Sequence, residues 1–184
     1  MRLFKMICRN QFGFIAGLVS VMCAFSFAAA APNEQTAVFA GGQAATAHYE
    51  QVSKGDTGHA ESVRIRFDPN QISYQQLLKV FFIIAHDPTQ LNRQGPDVGS
   101  QYRSVIFYNS EEQRTAALNY IRQLSVAHTF SSSIVTRLVP LQQFYPAEGY
   151  HQNYLELHPG EPYIIMNDLP KLIQLREKFP AWYR

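Results

Sequence analysis

A chain of 184 residues, 46% of them apolar, is long enough for one domain with a sizeable core and too short to make two comfortable ones. Its formal charge of +2 comes from the start of the chain: setting aside Arg2, Lys5 and Arg9 takes the 16 basic side chains to 13, against 14 acidic ones. The balance that is left excludes a charge-driven partner such as nucleic acid or an anionic membrane surface.

Residues 1–31 read as a secretory signal peptide. The three cations form its positive start, residues 12–27 are an uncharged apolar run, and Ala28, Ala29, Ala30 and Ala31 supply the small residues of a cleavage site. An uncleaved anchor is the rival reading, because the apolar run approaches the roughly 18–20 residues that cross a bilayer. The alanines ahead of Pro32 favour cleavage, which gives a domain at 32–184, export to what reads as the bacterial periplasm, and no stable membrane association afterwards. Both cysteines, Cys8 and Cys23, fall inside this leader. The exported part is therefore expected to form no disulfide, to hold no thiolate-bound metal and to use no cysteine nucleophile.

Beyond the leader, strands alternate with capped helices. Residues 36–40 predict a short strand, and residues 62–68 a half-buried one with Val63, Ile65 and Phe67 on one face and Arg64 and Arg66 on the other. Ser73 with Gln76 makes a capping box for a helix that turns Leu77, Leu78, Phe81, Phe82 and Ile84 inward and stops before Asp87 and Pro88. Residues 102–108 predict another apolar strand. Ser110 and Gln113 cap a helix whose Ala117, Tyr120, Ile121 and Leu124 share a face, and residues 134–139 come next as a strand closed by Pro140. After Ala147 a helix is expected to about Leu157, then a stop at His158-Pro159-Gly160, then a final helix near residues 169–178. This order predicts an α+β fold, a two-layer sandwich of helices on a mixed sheet.

Polar loops lie beside the strand ends. Tyr49-Glu50-Gln51-Val52-Ser53 and Gly55-Asp56-Thr57-Gly58-His59-Ala60-Glu61 precede the Val63 strand. His86-Asp87-Pro88-Thr89, Asn92-Arg93-Gln94-Gly95-Pro96-Asp97-Val98-Gly99 and Gln101-Tyr102-Arg103-Ser104 precede the Val105 strand. Singly, Glu61 reads as a solvated carboxylate, Tyr49 and Tyr102 as half-buried aromatics, and Asp97, next to Pro96 and before Gly99, as a turn residue. As an ordered set with Phe144-Tyr145-Pro146-Ala147-Glu148 and Tyr150-His151-Gln152, these strings closely resemble the A-type peptide methionine sulfoxide reductase family, from Thr36 to the C-terminus.

The resemblance implies a chemistry. In the family a cysteine thiolate attacks the sulfur of methionine S-sulfoxide, an acid protonates the departing oxygen, and the sulfenic acid left behind is reduced by other thiols. By motif match, Glu61 is the acid, kept protonated by poor solvation; Tyr49 and Tyr102 supply hydroxyls to the sulfoxide oxygen, Asp97 belongs to the same polar cluster, and His151 and Tyr154 line the substrate cleft. No prosthetic cofactor is implied. The partners implied are oxidised methionine in proteins or peptides and an external thiol reductant such as a thioredoxin-like protein.

One departure from the family stands out. Its first strand ends in Ala-Gly-Gly and then, at once, Cys-Phe-Trp, the nucleophile and an aromatic pair, whereas Ala40-Gly41-Gly42 here runs into Gln43-Ala44-Ala45-Thr46-Ala47-His48-Tyr49. That string resembles the family's residues just past a second Gly-Gly pair, as if the two pairs were fused and roughly thirty residues, one helix and one strand, were removed. The resulting expectation is a family member without activity, whether by natural deletion or by an error in the gene sequence. A binder of oxidised methionine and an unrelated metal enzyme are the alternatives. His48, His59, His86, His128, His151 and His158 show no ligand spacing that favours the metal.

Overall fold

A computed structural model of the chain describes residues 34–39, 60–144 and 146–183. The expected signal peptide, the Gly41-Gly42 junction and Tyr49 lie outside the described residues. In chain order the elements are β1 (Gln35–Phe39), β2 (Val63–Phe67), α1 (Tyr74–Val80), a short hairpin of β3 (Arg93–Gln94) and β4 (Asp97–Val98), β5 (Val105–Tyr108), α2 (Glu111–Val126), β6 (Arg137–Pro140), α3 (Tyr154–Leu157) and α4 (Leu169–Lys178). Four strands form one sheet in the order β2, β1, β5, β6. β1 runs antiparallel to β2, with Ala37 opposite Ile65, and antiparallel to β5, with Val38 opposite Phe107. β5 and β6 run parallel, and α2 makes the crossover between them. The sheet is mixed, as the alternation of elements predicts.

The period-2 pattern of the strands decides what each face buries. Ala37, Phe39, Ile65, Phe67 and Ile106 pack beneath Leu77, Leu78 and Phe82 on one side, with Ala117 and Leu124 of α2. Val38, Val105 and Phe107 point the other way, under Ala60, Leu141 and Phe144. Each such aliphatic or aromatic side chain removed from water contributes about 1.5–3 kcal/mol, so these two clusters supply the main drive for folding. Gln113 ties the layers together: its Nε2 donates to the Thr36 carbonyl at 2.8 Å while its backbone N–H takes the Ser110 cap.

The capping box read at Ser73 forms as expected. Ser73 Oγ accepts from Gln76 N at 3.2 Å, and Gln76 Oε1 accepts from Ser73 N at 2.7 Å. Ser73→Ala is expected to cost about 1 kcal/mol in urea unfolding, because one N–H of the first helical turn loses its acceptor.

Four boundaries differ from expectation, each for a local reason. The strand expected from residue 102 begins only at Val105, because Ser100–Tyr102 closes a 3-10 turn in which Tyr102 N donates to Gly99 O at 3.0 Å. Val135 N is drawn to Pro88 O at 2.8 Å, away from β5, so β6 starts at Arg137 rather than near residue 134. The helix expected after Ala147 is a 3-10 turn, Gly149–His151, then a break at Asn153, whose φ of 56° is left-handed, then the single turn of α3. A wider π-helical turn, Ile164–Asp168, lengthens α4 at its start, while another, Phe81–Ala85, carries α1 to the stop expected before Asp87.

Candidate functional site

Glu61 stands immediately before β2 and is fixed at both ends of its peptide. Its N–H donates to Gln101 O at 2.8 Å, and the neighbouring Ser62 Oγ donates to Ala60 O at 2.9 Å. The polar strings between α1 and β5 build the opposing wall. Asp87 organises the first of them: Thr89 N and Oγ1 donate to its Oδ1 at 2.9 and 2.7 Å, and Gln94 pairs with its backbone. The hairpin then turns at Gly95, and Gly99 N donates to Asn92 O at 2.9 Å. Gly99 has a φ of 147°, and a Cβ there would meet Gln101 Oε1 at 2.2 Å, so only glycine lets residues 100–102 fold back over Glu61.

This framework brings together three of the residues that sequence singles out. Glu61, Asp97 and Tyr102 are brought close together: burial most of all, and the Asp97 charge after it, raise the Glu61 carboxyl, a hydrogen bond from Tyr102 acts against both, and the net rise is from 4.5 to about 7. Glu61 Oε1 is buried and has no hydrogen-bond partner among the described residues. A carboxyl in this state is a proton donor at neutral pH with one oxygen uncommitted.

A fourth member has no counterpart in the sequence reading. Tyr163 donates its phenolic hydrogen to Asp97 Oδ2 across 66 positions of sequence. Burial, that hydrogen bond and the Asp97 charge all hold the Tyr163 phenol well above the usual tyrosine range. Sequence offers only Pro162-Tyr163 ahead of an apolar turn, which marks a helix start and nothing about Asp97.

His151 and Tyr154, assigned to the cleft by resemblance, are placed by local contacts. The His151 ring packs on Tyr150 at 4.3 Å between centroids, and burial lowers its pKa while Glu148 raises it. Tyr154 is exposed and packs on His158 at 4.3 Å, so its ring contact is with the neighbouring turn rather than with the Glu61 group. Elsewhere, a cavity of about 340 Å³ lined by Phe82, Ile83, His86, Asp87, Thr89 and Gln174 includes none of the six assigned residues. Among the described residues no cluster of three or more His, Cys, Asp or Glu could hold a metal ion.

A buried carboxyl about half protonated at neutral pH, bonded by Tyr102 and beside an Asp97 that Tyr163 also reaches, is carried on an α+β sandwich and has the chemistry of a proton donor. Comparison with known proteins sharpens this. The family described as peptide methionine sulfoxide reductase matches residues 27–182. Peptide methionine sulfoxide reductase MsrA 2 of Mesorhizobium japonicum is 46% identical over 179 residues, covering 84% of this chain and 92% of the relative. Peptide methionine sulfoxide reductase MsrA of Acinetobacter baumannii is 52% identical over 144 residues, covering 78% of this chain and 81% of the relative. Mxr1 from Saccharomyces cerevisiae in reduced form shares the fold with a TM-score of 0.61 at 32% identity, covering 70% of this chain and 72% of that one. The chain belongs to the A-type peptide methionine sulfoxide reductase family, oxidoreductases that reduce methionine sulfoxide.

Proposed function

We propose that this chain keeps the proton-donating half of the family's site, lacks the nucleophile, and does not turn over methionine sulfoxide. One observation carries the reading: Cys8 and Cys23 are its only cysteines, and both lie in the stretch read as a signal peptide, so residues 32–184 contain no thiol. The family reaction moves oxygen from a sulfoxide to a thiolate sulfur, which is oxidised by two electrons and later reduced by other thiols. A serine hydroxyl or water cannot accept and return those electrons.

Alignment supports the same reading. The 179 positions aligned with the Mesorhizobium japonicum relative take in only 84% of this 184-residue chain, so the relative carries positions with no counterpart here. Loss of one helix-and-strand unit at Gly41-Gly42 accounts for both the gap and the missing Cys-Phe-Trp. On this reading the leader at 1–31 is removed, the domain at 32–184 is exported to the bacterial periplasm, and a thioredoxin-like reductant has nothing to reduce. Exported protein given dithiothreitol and methyl p-tolyl sulfoxide is expected to match buffer alone; stereoselective loss of the S-epimer would overturn this. Resequencing between the codons for Gly41 and Gly42 is the companion test, since a recovered Cys-Phe-Trp segment makes the protein an active reductase.

The assembled cluster favours a second reading, a non-catalytic binder of oxidised methionine. Glu61 as donor beside Tyr102 suits a sulfoxide oxygen, a strong acceptor that offers no proton. Calorimetry with a methionine sulfoxide peptide and its reduced form decides it: binding of the oxidised peptide alone, weakened in Tyr102→Phe, is the supporting result.

A further inference from the structure

Sulfur is scarce in this chain. Its methionines stand at 1, 6, 22 and 166 and its cysteines at 8 and 23, so Met166 is the single sulfur atom in residues 32–184. Met166 is 75% exposed, the highest value among the large apolar side chains described. It lies in the π-helical turn Ile164–Asp168, where Ile164 is the residue that packs inward and Ile165 is half exposed. Tyr163, the residue bonded to Asp97, immediately precedes that turn.

We propose that Met166 is this chain's own site of sulfoxide formation, and that its sulfoxide is a substrate for a catalytically complete member of the same family. The second half rests on the function proposed above, because a chain that cannot reduce sulfoxides depends on another enzyme to repair its own. With a hydroperoxide as oxidant, the thioether lone pair takes the terminal oxygen; the O–O bond breaks, an S–O bond forms, sulfur loses two electrons and the peroxide leaves as water or alcohol. Repair runs with two thiols, which become a disulfide while the oxygen departs as water.

Exposure sets both steps. An exposed thioether meets the oxidant without opening the fold, and the new S–O dipole faces water, so oxidation costs this fold little; the same change in a core would disrupt packing. The oxidised side chain is also presented for capture on a surface turn, beside the half-exposed Ile165.

The test uses the full chain treated with hydrogen peroxide and digested with trypsin. The fragment 138–171, bounded by Arg137 and Lys171, has Met166 as its one sulfur. A gain of one oxygen on that fragment at close to the rate of acetylmethionine amide is expected, and none in Met166→Leu; oxidation slower by about tenfold or more would show a shielded sulfur and overturn the site. The oxidised chain, kept folded, is then given dithiothreitol and an A-type reductase that has its cysteine. About half of the added oxygen should be lost, the S-epimer share, since each reductase type acts on one epimer. Full retention by the folded chain, with loss after unfolding, would overturn the substrate half. Loss with dithiothreitol alone would overturn the inactivity proposed above while supporting Met166 as the oxidised residue.

Discussion

Glu61→Gln is expected to raise folding stability at pH 8 by about 3 kcal/mol over the parent chain and to leave it nearly unchanged at pH 4. The fold disfavours the charged form of this carboxyl, with its pKa raised from 4.5 to about 7. Below pH 4.5 the group is protonated in folded and unfolded chains alike, and folding gains or loses nothing from it. As pH rises from 4.5 to 7 the unfolded chain ionises freely while the folded one resists, so stability falls throughout that window and the full penalty stands above pH 7. Glutamine keeps the shape and an acceptor for Tyr102 and has no charge to bury. Urea unfolding at pH 4, 6 and 8 reads the difference directly. If the two proteins differ equally at all three, Glu61 is solvated and the role of proton donor proposed for it fails. A site residue that costs stability at neutral pH is what proton donation requires: the burial that penalises the fold is the burial that keeps the proton available.

How much of this arrangement was legible beforehand depends on the reach of each interaction. Ser73 with Gln76, and Ser110 with Gln113, cap their helices through contacts three residues apart, so the signal and the structure share one short window. Val63, Ile65 and Phe67 alternate with Arg64 and Arg66, and that alternation is enough to choose the buried face of β2. Tyr102 misleads because its aromatic ring favours a strand, while the backbone obeys Gly99 and the pull of Glu61 N on Gln101 O. The grouping of Glu61 with Asp97 and Tyr102 is legible only through family resemblance, since no spacing rule links a carboxyl to a hairpin 36 positions later. Tyr163 is silent in the sequence for the same reason, with no family string to mark it.

His86 is a second titratable group shifted by burial, and its effect on stability has the opposite sign. Nδ1 donates to Phe81 O at 2.9 Å, which leaves Nε2 to accept from Ser104 Oγ at 2.6 Å, and Ser104 Oγ pairs with Thr136 Oγ1 at 2.7 Å. The string joins the turn after α1, the start of β5 and the approach to β6, and the ring packs tilted on Phe81 at 4.1 Å between centroids. Burial, with a smaller push from Lys171, outweighs the Phe81 carbonyl and Asp87, which pull the other way, and the His86 pKa falls from 6.5 to about 4. The fold therefore holds the ring neutral, so stability is complete above pH 6.5 and falls by about 3 kcal/mol as the unfolded chain takes up a proton between pH 6.5 and 4. His86→Ala is expected to lose roughly 2–4 kcal/mol at pH 7, from the cavity and from Ser104 left without its acceptor. Between pH 4.5 and 6.5 the Glu61 and His86 slopes run against each other and nearly cancel in the parent chain. Each substitution uncovers the other group: Glu61→Gln should lose stability as pH falls through that window, and His86→Ala as it rises. Measured against pH, the double variant should show neither slope. An acid-side loss in the double variant as steep as that of Glu61→Gln would place the proton uptake on some other group and end the assignment.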